Sequence, residues 1–170
     1  MSEQFEITAL GGFAVHRDAR LIDLPPSCRR VVALAAVKRR PLPRSWVCSV
    51  LWPTSSPDRA IARLRTTLWR LRPLGADTLL TVDAHTLALG PRVSVDWHDA
   101  VELIGRLLRG GADPDTEVVS ELLPLLRAGG LLDGWTDEWS SEERRGYHAL
   151  RTAAIEALLS DTAGEGGEYE

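Results

Sequence analysis

An arginine-rich segment from Asp58 to Arg72 carries the residue types best suited to chemistry in this chain. At 3.6 residues per turn, a helix over this segment separates an aliphatic face from a basic face. The aliphatic face holds Ile61, Leu64, Leu68 and Leu71, the opposite face holds Arg59, Arg63, Thr66 and Arg70, and Arg65, Trp69 and Arg72 lie on the flanks. Guanidinium groups neutralise phosphates, and one guanidinium can form two hydrogen bonds with the edge of a guanine. The pattern predicts a helix that contacts DNA, although a merely solvated basic face has the same composition.

Charge is unevenly distributed along the chain. Residues 1–95 contain 14 Arg and Lys against 7 Asp and Glu, which gives +7. Residues 96–170 contain 6 against 17, which gives −11 and returns the −4 of the whole chain. This asymmetry predicts a nucleic-acid-binding module joined to a module with another task.

The order of the predicted elements indicates a fold for the basic half. Alternation predicts strands over 5–10, 13–16 and 21–24, and apolar periodicity predicts helices over 27–38 and 43–51. Ser56 or Pro57 opens the arginine-rich helix, and strands over 78–82 and 86–89 form a hairpin. A small sheet, three helices and a hairpin match a winged helix-turn-helix whose third helix is in the recognition position.

The acidic half has a purely helical pattern. Helices are predicted over 96–109 and 116–127, and a long helix follows Asp133–Thr136 and runs to about Leu159. Their lengths are typical of tetratricopeptide-like helical hairpins. The expected fold class is therefore α+β: an N-terminal winged helix-turn-helix with an N-terminal β-sheet, followed by an all-α tetratricopeptide-like domain. The predicted division is 1–93 and 94–170.

The sequence favours neither an enzyme nor a cofactor or metal protein. Four histidines are scattered over separate elements without metal-ligand spacing, and the Gly11-Gly12 pair fits no phosphate-binding motif. No apolar run is long enough for a membrane span. The two cysteines, Cys28 and Cys48, are too few for a disulfide scaffold, so we expect a cytoplasmic protein.

Several motifs in register resemble the Streptomyces antibiotic regulatory protein (SARP) family. They are LGGFAV at 10–15, LW at 51–52, LRTTLWRLR at 64–72, VDWH at 95–98, LDGWTDEW at 132–139 and EERR at 142–145. The resemblance covers nearly the whole chain. It implies an OmpR-type winged helix joined to a bacterial transcriptional activator domain, in an activator of antibiotic biosynthesis gene clusters. Such an activator binds direct repeats in double-stranded DNA, as a possible homodimer, and recruits RNA polymerase.

The family's activator domain has more helices than the pattern gives here. Residues 94–170 are therefore expected to be either a truncated activator domain, in which Gly167–Glu170 opens a further repeat helix, or the domain of an unusually short member.

Specific residues receive predicted roles in DNA binding. Arg44, near the start of the second helix, is expected to bind a phosphate. Outward-facing Arg59, Arg63, Thr66 and Arg70 are expected to reach the major groove, and His85 and Thr86 in the wing are expected to contact the minor groove or phosphates. Arg72 and Arg65 have two open alternatives, a phosphate contact or an internal ion pair.

The tryptophans are interpreted mainly as packing residues. Trp69 is expected to pack rather than to contact bases, and Trp46 to pack against the activator domain or to fill a local groove. Trp97, Trp135 and Trp139 are expected to anchor the helical half in a core or an interface.

The alternative function is a protein–protein scaffold whose winged helix no longer binds DNA. A scaffold predicts arginines buried in ion pairs, whereas a DNA-binding protein requires them to be free.

Overall fold

The computed structural model describes residues 3–164. Within this range the chain forms seven strands and six helices in a mixed α/β arrangement. In chain order they are β1 (Phe5–Thr8), β2 (Ala14–Arg17), β3 (Arg20–Ile22), α1 (Pro26–Lys38), β4 (Leu42–Pro43), α2 (Arg44–Leu51), α3 (Pro57–Arg70), β5 (Leu80–Val82), β6 (Thr86–Leu89), β7 (Val93–Val95), α4 (Asp96–Arg109), α5 (Thr116–Ala128) and α6 (Ser141–Gly164). The helix expected to open at Gly167–Glu170 lies outside the described residues.

The first sheet has the strand order β3-β2-β1-β7 in the described part of the chain. β1 and β2, and likewise β2 and β3, are antiparallel, while β1 and β7 are parallel. Phe5 and Ile7 face the core and Glu6 and Thr8 face solvent, as the alternating sequence predicts. The sequence did not predict β7, because a three-residue strand gains its stability from the partner strand and carries little pattern of its own.

The second sheet has the order β4-β6-β5. Its β5–β6 hairpin is the one predicted from the sequence, but β5 begins at Leu80 because Asp77–Leu79 forms a 3-10 turn. β4 contains only Leu42 and Pro43 and pairs with the start of β6, so it attaches the beginning of α2 to the hairpin.

Helix α1 is the centre of the fold. Seven consecutive residues, Val31–Val37, are buried. The helix contacts β6, α2, α3 and the 3-10 turn at Glu138–Ser140, so apolar neighbours surround it. A helix with apolar residues all round its circumference is stable only in such an enclosed position.

The carboxylate of Asp96, the first residue of α4, connects the helical half to the first sheet. It accepts hydrogen bonds from the backbone N–H of Ala9 at 2.7 Å and of Leu10 at 3.3 Å. Leu10 also forms an isolated β-bridge with Leu131, and one hydrophobic cluster contains residues from both halves. The two halves therefore share a core. Strand β7 runs across the predicted boundary at 93/94, and the division into two domains stays a prediction.

Two ion pairs join α1 to the segment before and within α6. Lys38 Nζ lies 2.6 Å from Glu143 Oε1, and Arg30 Nε lies 3.0 Å from Asp137 Oδ2. Glu143 therefore pairs across the fold rather than with its neighbours Arg144 and Arg145, which bond backbone carbonyls instead.

A membrane-spanning helix is absent from residues 3–164: each helix there is too short or too polar.

Candidate nucleic-acid interface

Helix α3 begins where the sequence predicts. Ser56 caps it, its hydroxyl accepting a hydrogen bond from the backbone N–H of Arg59 at 3.4 Å. Pro57 occupies the first turn, where the missing N–H is not needed, and Asp58 adds a negative charge at the positive end of the helix dipole.

The buried face of α3 differs from the predicted one. Leu64 and Leu71 are buried as expected, but Ile61 is 42% exposed, and Ala60 and Thr67 are buried in its place. The helix is thus turned by roughly 40° relative to the aliphatic pattern.

The packing of α3 against both α1 and α2 accounts for this rotation. Ala60 is small enough for close helix packing, and the Thr67 hydroxyl is satisfied by donating to the carbonyl of Arg63 at 2.8 Å. On α1, Cys28 Sγ donates to the Thr67 carbonyl at 3.4 Å. A polar side chain with its hydrogen bond made can enter a core at low cost.

The outward surface of α3 consists of an uncharged central stripe between two rows of arginines. The stripe is Ala62, Thr66 and Trp69, all exposed. One row is Arg59, Arg63 and Arg70, of which Arg63 and Arg70 border a cleft toward Ser27 and Trp52. The other row, Arg65 and Arg72, borders the side of the β5–β6 hairpin. We call these five residues the α3 arginines, although Arg72 lies two residues beyond the end of the helix.

The α3 arginines are all exposed, and none of them forms an ion pair with a described residue. For Arg65 and Arg72, the internal ion pair is therefore not formed among residues 3–164. The Arg72 guanidinium instead lies 5.0 Å from the ring centroid of Trp69, in a cation–π contact.

Most other basic residues of the N-terminal half are engaged within the fold. Arg17 pairs with Glu3, Arg30 with Asp137 and Lys38 with Glu143, while Arg29, Arg39 and Arg40 lie over the rings of Phe13, Trp97 and Trp46. The fold thus engages most basic groups around α1 in ion pairs or cation–π contacts. Among the described residues the α3 arginines form no ion pair, and of the five only Arg72 lies over an aromatic ring.

Trp69 does not pack as predicted: it is 66% exposed, because the rotation of α3 moves it to the outward stripe. Trp46 is half-buried under Lys38 and Arg40. The helical-half tryptophans fit the packing interpretation better. Trp97 is buried, and Trp135 makes edge contacts with Phe13 at 5.5 Å and Trp139 at 6.0 Å.

Arg44 lies at the start of α2 and contacts the tip of the hairpin. Its backbone N–H donates to the carbonyl of His85 at 2.8 Å, and its Nη1 donates to the carbonyl of Asp83 at 3.0 Å. Arg44 therefore has a structural contact that the sequence did not predict. Its side chain, exposed His85 and the α3 residue Arg65 line one cleft, so the structure brings these predicted site residues together.

Thr86 is half-buried, and its backbone N–H and hydroxyl both donate to Asp83 at the hairpin tip. Sequence reasoning missed Asp83. Three hydrogen bonds from His85 and Thr86 lower the pKa of this exposed carboxyl. The sequence contained a signal for this role, because an Asp side chain commonly forms a turn by accepting hydrogen bonds from the backbone N–H groups two and three residues later.

The described residues contain no cluster of three or more His, Cys, Asp or Glu side chains that would hold a metal ion. Cys28 and Cys48 are buried, and burial raises the pKa of both thiols.

Comparisons with known proteins support the fold. No protein-family model matches the chain, and no curated protein gives a significant match. Among solved structures, the chain is similar to Mycobacterium tuberculosis EmbR in complex with a low-affinity phosphopeptide, with a TM-score of 0.57 and 16% sequence identity. The similarity covers 96% of this chain and 44% of the EmbR chain, so this chain spans less than half of that protein's length. At this identity the similarity concerns the fold, and it supports a SARP-like fold.

Proposed function

We propose that this chain is a sequence-specific DNA-binding transcriptional regulator. Residues 1–93 act as a winged helix-turn-helix, with α3 as the recognition helix and β5–β6 as the wing. Residues 94–170 form a tetratricopeptide-like activator domain. The observation that carries the proposal is the set of unpaired, exposed α3 arginines, since most other basic groups nearby are used internally.

The shape of α3 suits a major groove. Its 14 residues span roughly 21 Å, and the groove is about 12 Å wide, so part of the helix fits inside. The two arginine rows then face opposite phosphate walls, while Ala62 and Thr66 face the base edges. Small side chains with methyl groups suit contact with the thymine methyl. An arginine that reaches the groove floor can form two hydrogen bonds with one guanine.

Arg44, His85 and Thr86 extend the surface beyond α3. The hairpin tip is next to the start of α2, so both elements can reach the phosphates of one DNA strand near the groove edge. Together with Arg59, Arg63, Thr66, Arg70 and Arg72 these residues form the proposed DNA-binding set.

Binding of a duplex from upstream of the chain's own gene, measured across a salt series, tests the proposal. If the five α3 arginines each neutralise one phosphate, the log–log salt slope is about −4.5. The triple variant R59A/R63A/R70A should bind more weakly, with a slope less negative by about 2.7.

A matched control keeps the same change in net charge. Arg106, Arg109 and Arg127 are exposed in the helical half, and R106A/R109A/R127A should leave the slope unchanged. If the α3 triple variant binds DNA as the natural chain does, or if the two triple variants lose affinity equally, DNA binding through α3 is wrong. Weak, salt-insensitive binding by the natural chain favours the scaffold alternative, for which exposed Trp69 is the natural contact.

We also propose that the chain activates a biosynthetic gene cluster by binding direct repeats as a homodimer, with RNA polymerase as partner. The support is the SARP-like fold together with the family resemblance in sequence. Nuclease footprinting should reveal two protected segments of the same orientation, and transcription in vitro should rise with added protein. Protection of a single site, or no increase in transcript, would contradict this part of the proposal.

A further inference from the structure

The tip of the β5–β6 hairpin has an unusual construction. Asp83 and Thr86 face each other across a two-residue loop, Ala84–His85, and the Asp83 N–H donates to the Thr86 carbonyl at 3.0 Å. Two-residue hairpin loops usually need positive φ at one or both loop residues. The Asp18–Ala19 loop of this chain has φ of 47° and 67°, but neither Ala84 nor His85 has positive φ.

The carboxylate of Asp83 supplies the support that this loop otherwise lacks. Oδ1 accepts the backbone N–H of His85 at 2.7 Å and that of Thr86 at 2.7 Å, and Oδ2 accepts the Thr86 hydroxyl at 3.1 Å. A side-chain oxygen thus takes the Thr86 N–H, which in a regular hairpin turn would bond the backbone carbonyl of residue 83.

Because the carboxylate accepts the Thr86 N–H, the backbone carbonyl of Asp83 is available to another donor. Arg44 Nη1 donates to this carbonyl at 3.0 Å. A second bond, from the Arg44 N–H to the His85 carbonyl at 2.8 Å, holds the next part of the tip. The tip is therefore attached to the first residue of α2.

We propose that Asp83 is a positioning residue for DNA binding: its carboxylate folds the hairpin tip so that Arg44 can hold His85 and Thr86 beside the α3 arginines. The inference rests on the proposed function. The direction of the change in DNA affinity tests it, because a negative charge on a DNA-facing surface repels phosphate. Charge alone predicts that removing Asp83 tightens binding, whereas loss of positioning weakens it.

Two substitutions separate charge from geometry. D83A removes the charge and all three hydrogen bonds. D83N removes the charge, but its amide oxygen can accept both backbone N–H groups and its amide nitrogen can donate to the Thr86 hydroxyl.

Affinity for the same duplex is measured at fixed salt for the natural chain, D83A and D83N. D83A should bind about tenfold more weakly, since three hydrogen bonds that order the tip are lost. D83N should bind at least as tightly as the natural chain. D77A, which removes an exposed acid at the other end of β5 that makes no side-chain hydrogen bond among the described residues, should not weaken binding.

A structural readout accompanies the affinities. Amide hydrogen exchange at His85 and Thr86 should accelerate in D83A and stay slow in D83N, while thermal unfolding stays close to that of the natural chain because the tip is exposed.

Three results would overturn the inference: D83A binding as tightly as the natural chain, D83N binding as weakly as D83A, or unchanged exchange at both amides in D83A. Failure of the proposed function looks different, since the natural chain would then show no salt-dependent duplex binding.

Discussion

Removal of the Asp96 carboxylate should destabilise the fold by about 2–4 kcal/mol. Oδ1 accepts the N–H groups of Ala9 and Trp97, both at 2.7 Å, and Oδ2 accepts that of Leu10 at 3.3 Å. Alanine leaves three donors without this partner, and a buried donor left unsatisfied costs roughly 1–3 kcal/mol.

The expected loss of about 2–4 kcal/mol lies near the lower end of the sum of three such costs, for two reasons. The Leu10 bond is long, and these groups are only partly buried, so water replaces some of what is lost. Burial also raises the pKa of Asp96, because the ionised carboxylate is partly desolvated in the fold, and its removal returns that free energy.

Urea unfolding followed by far-UV circular dichroism measures the change. D96A should lower the midpoint at an unchanged slope, and D96N should have a smaller effect because its amide oxygen keeps the bonds from Ala9 and Trp97. The control is D99A on the same helix: Asp99 is exposed and makes no side-chain hydrogen bond in the described range, so about 0.5 kcal/mol or less is expected. A D96A change below about 0.5 kcal/mol, or equal to that of D99A, would refute the reasoning.

Three further outcomes are expected. Burial lowers the pKa of His98, whose Nε2 lies 2.7 Å from the Ala36 carbonyl, so the unfolded chain takes up the proton first as pH falls below 6.5. Stability should decline from that pH through the lowered pKa, and H98N should lack this part of a urea-midpoint titration; equal slopes would contradict it. Tyr147 has a buried hydroxyl without a partner among the described residues, and burial raises its pKa to about 12. Y147F should therefore be neutral or stabilising by up to about 1 kcal/mol in thermal unfolding, and a clear loss would disprove this. W69A should cost under about 1 kcal/mol because Trp69 is exposed, whereas L64A in the core should cost about 2–5 kcal/mol; similar losses in urea unfolding would contradict the orientation of α3.

The elements with strong local signals were predictable. Ser56 and Pro57 mark the start of α3, and α4 runs from Asp96 to Arg109 as its apolar periodicity indicates. These signals are local because capping and periodicity depend on residues within one or two turns.

The orientation of α3 was not predictable in the same way. The aliphatic pattern favours Ile61 as a core residue, but close packing on α1 and α2 selects Ala60 and Thr67. Trp69 becomes exposed as a consequence. A helical wheel ranks side chains by hydrophobicity, whereas a tightly packed core also selects them by size and by satisfied hydrogen bonds.

By itself, the sequence determined that the basic residues concentrate in the first half and that five arginines fall within Asp58–Arg72. Only the tertiary structure decided which basic groups are free. Lys38 is neutralised by Glu143, 105 residues away along the chain, whereas the α3 arginines meet no acidic partner in residues 3–164. Ion pairing depends on distances of a few ångströms in space, and composition and periodicity do not contain those distances.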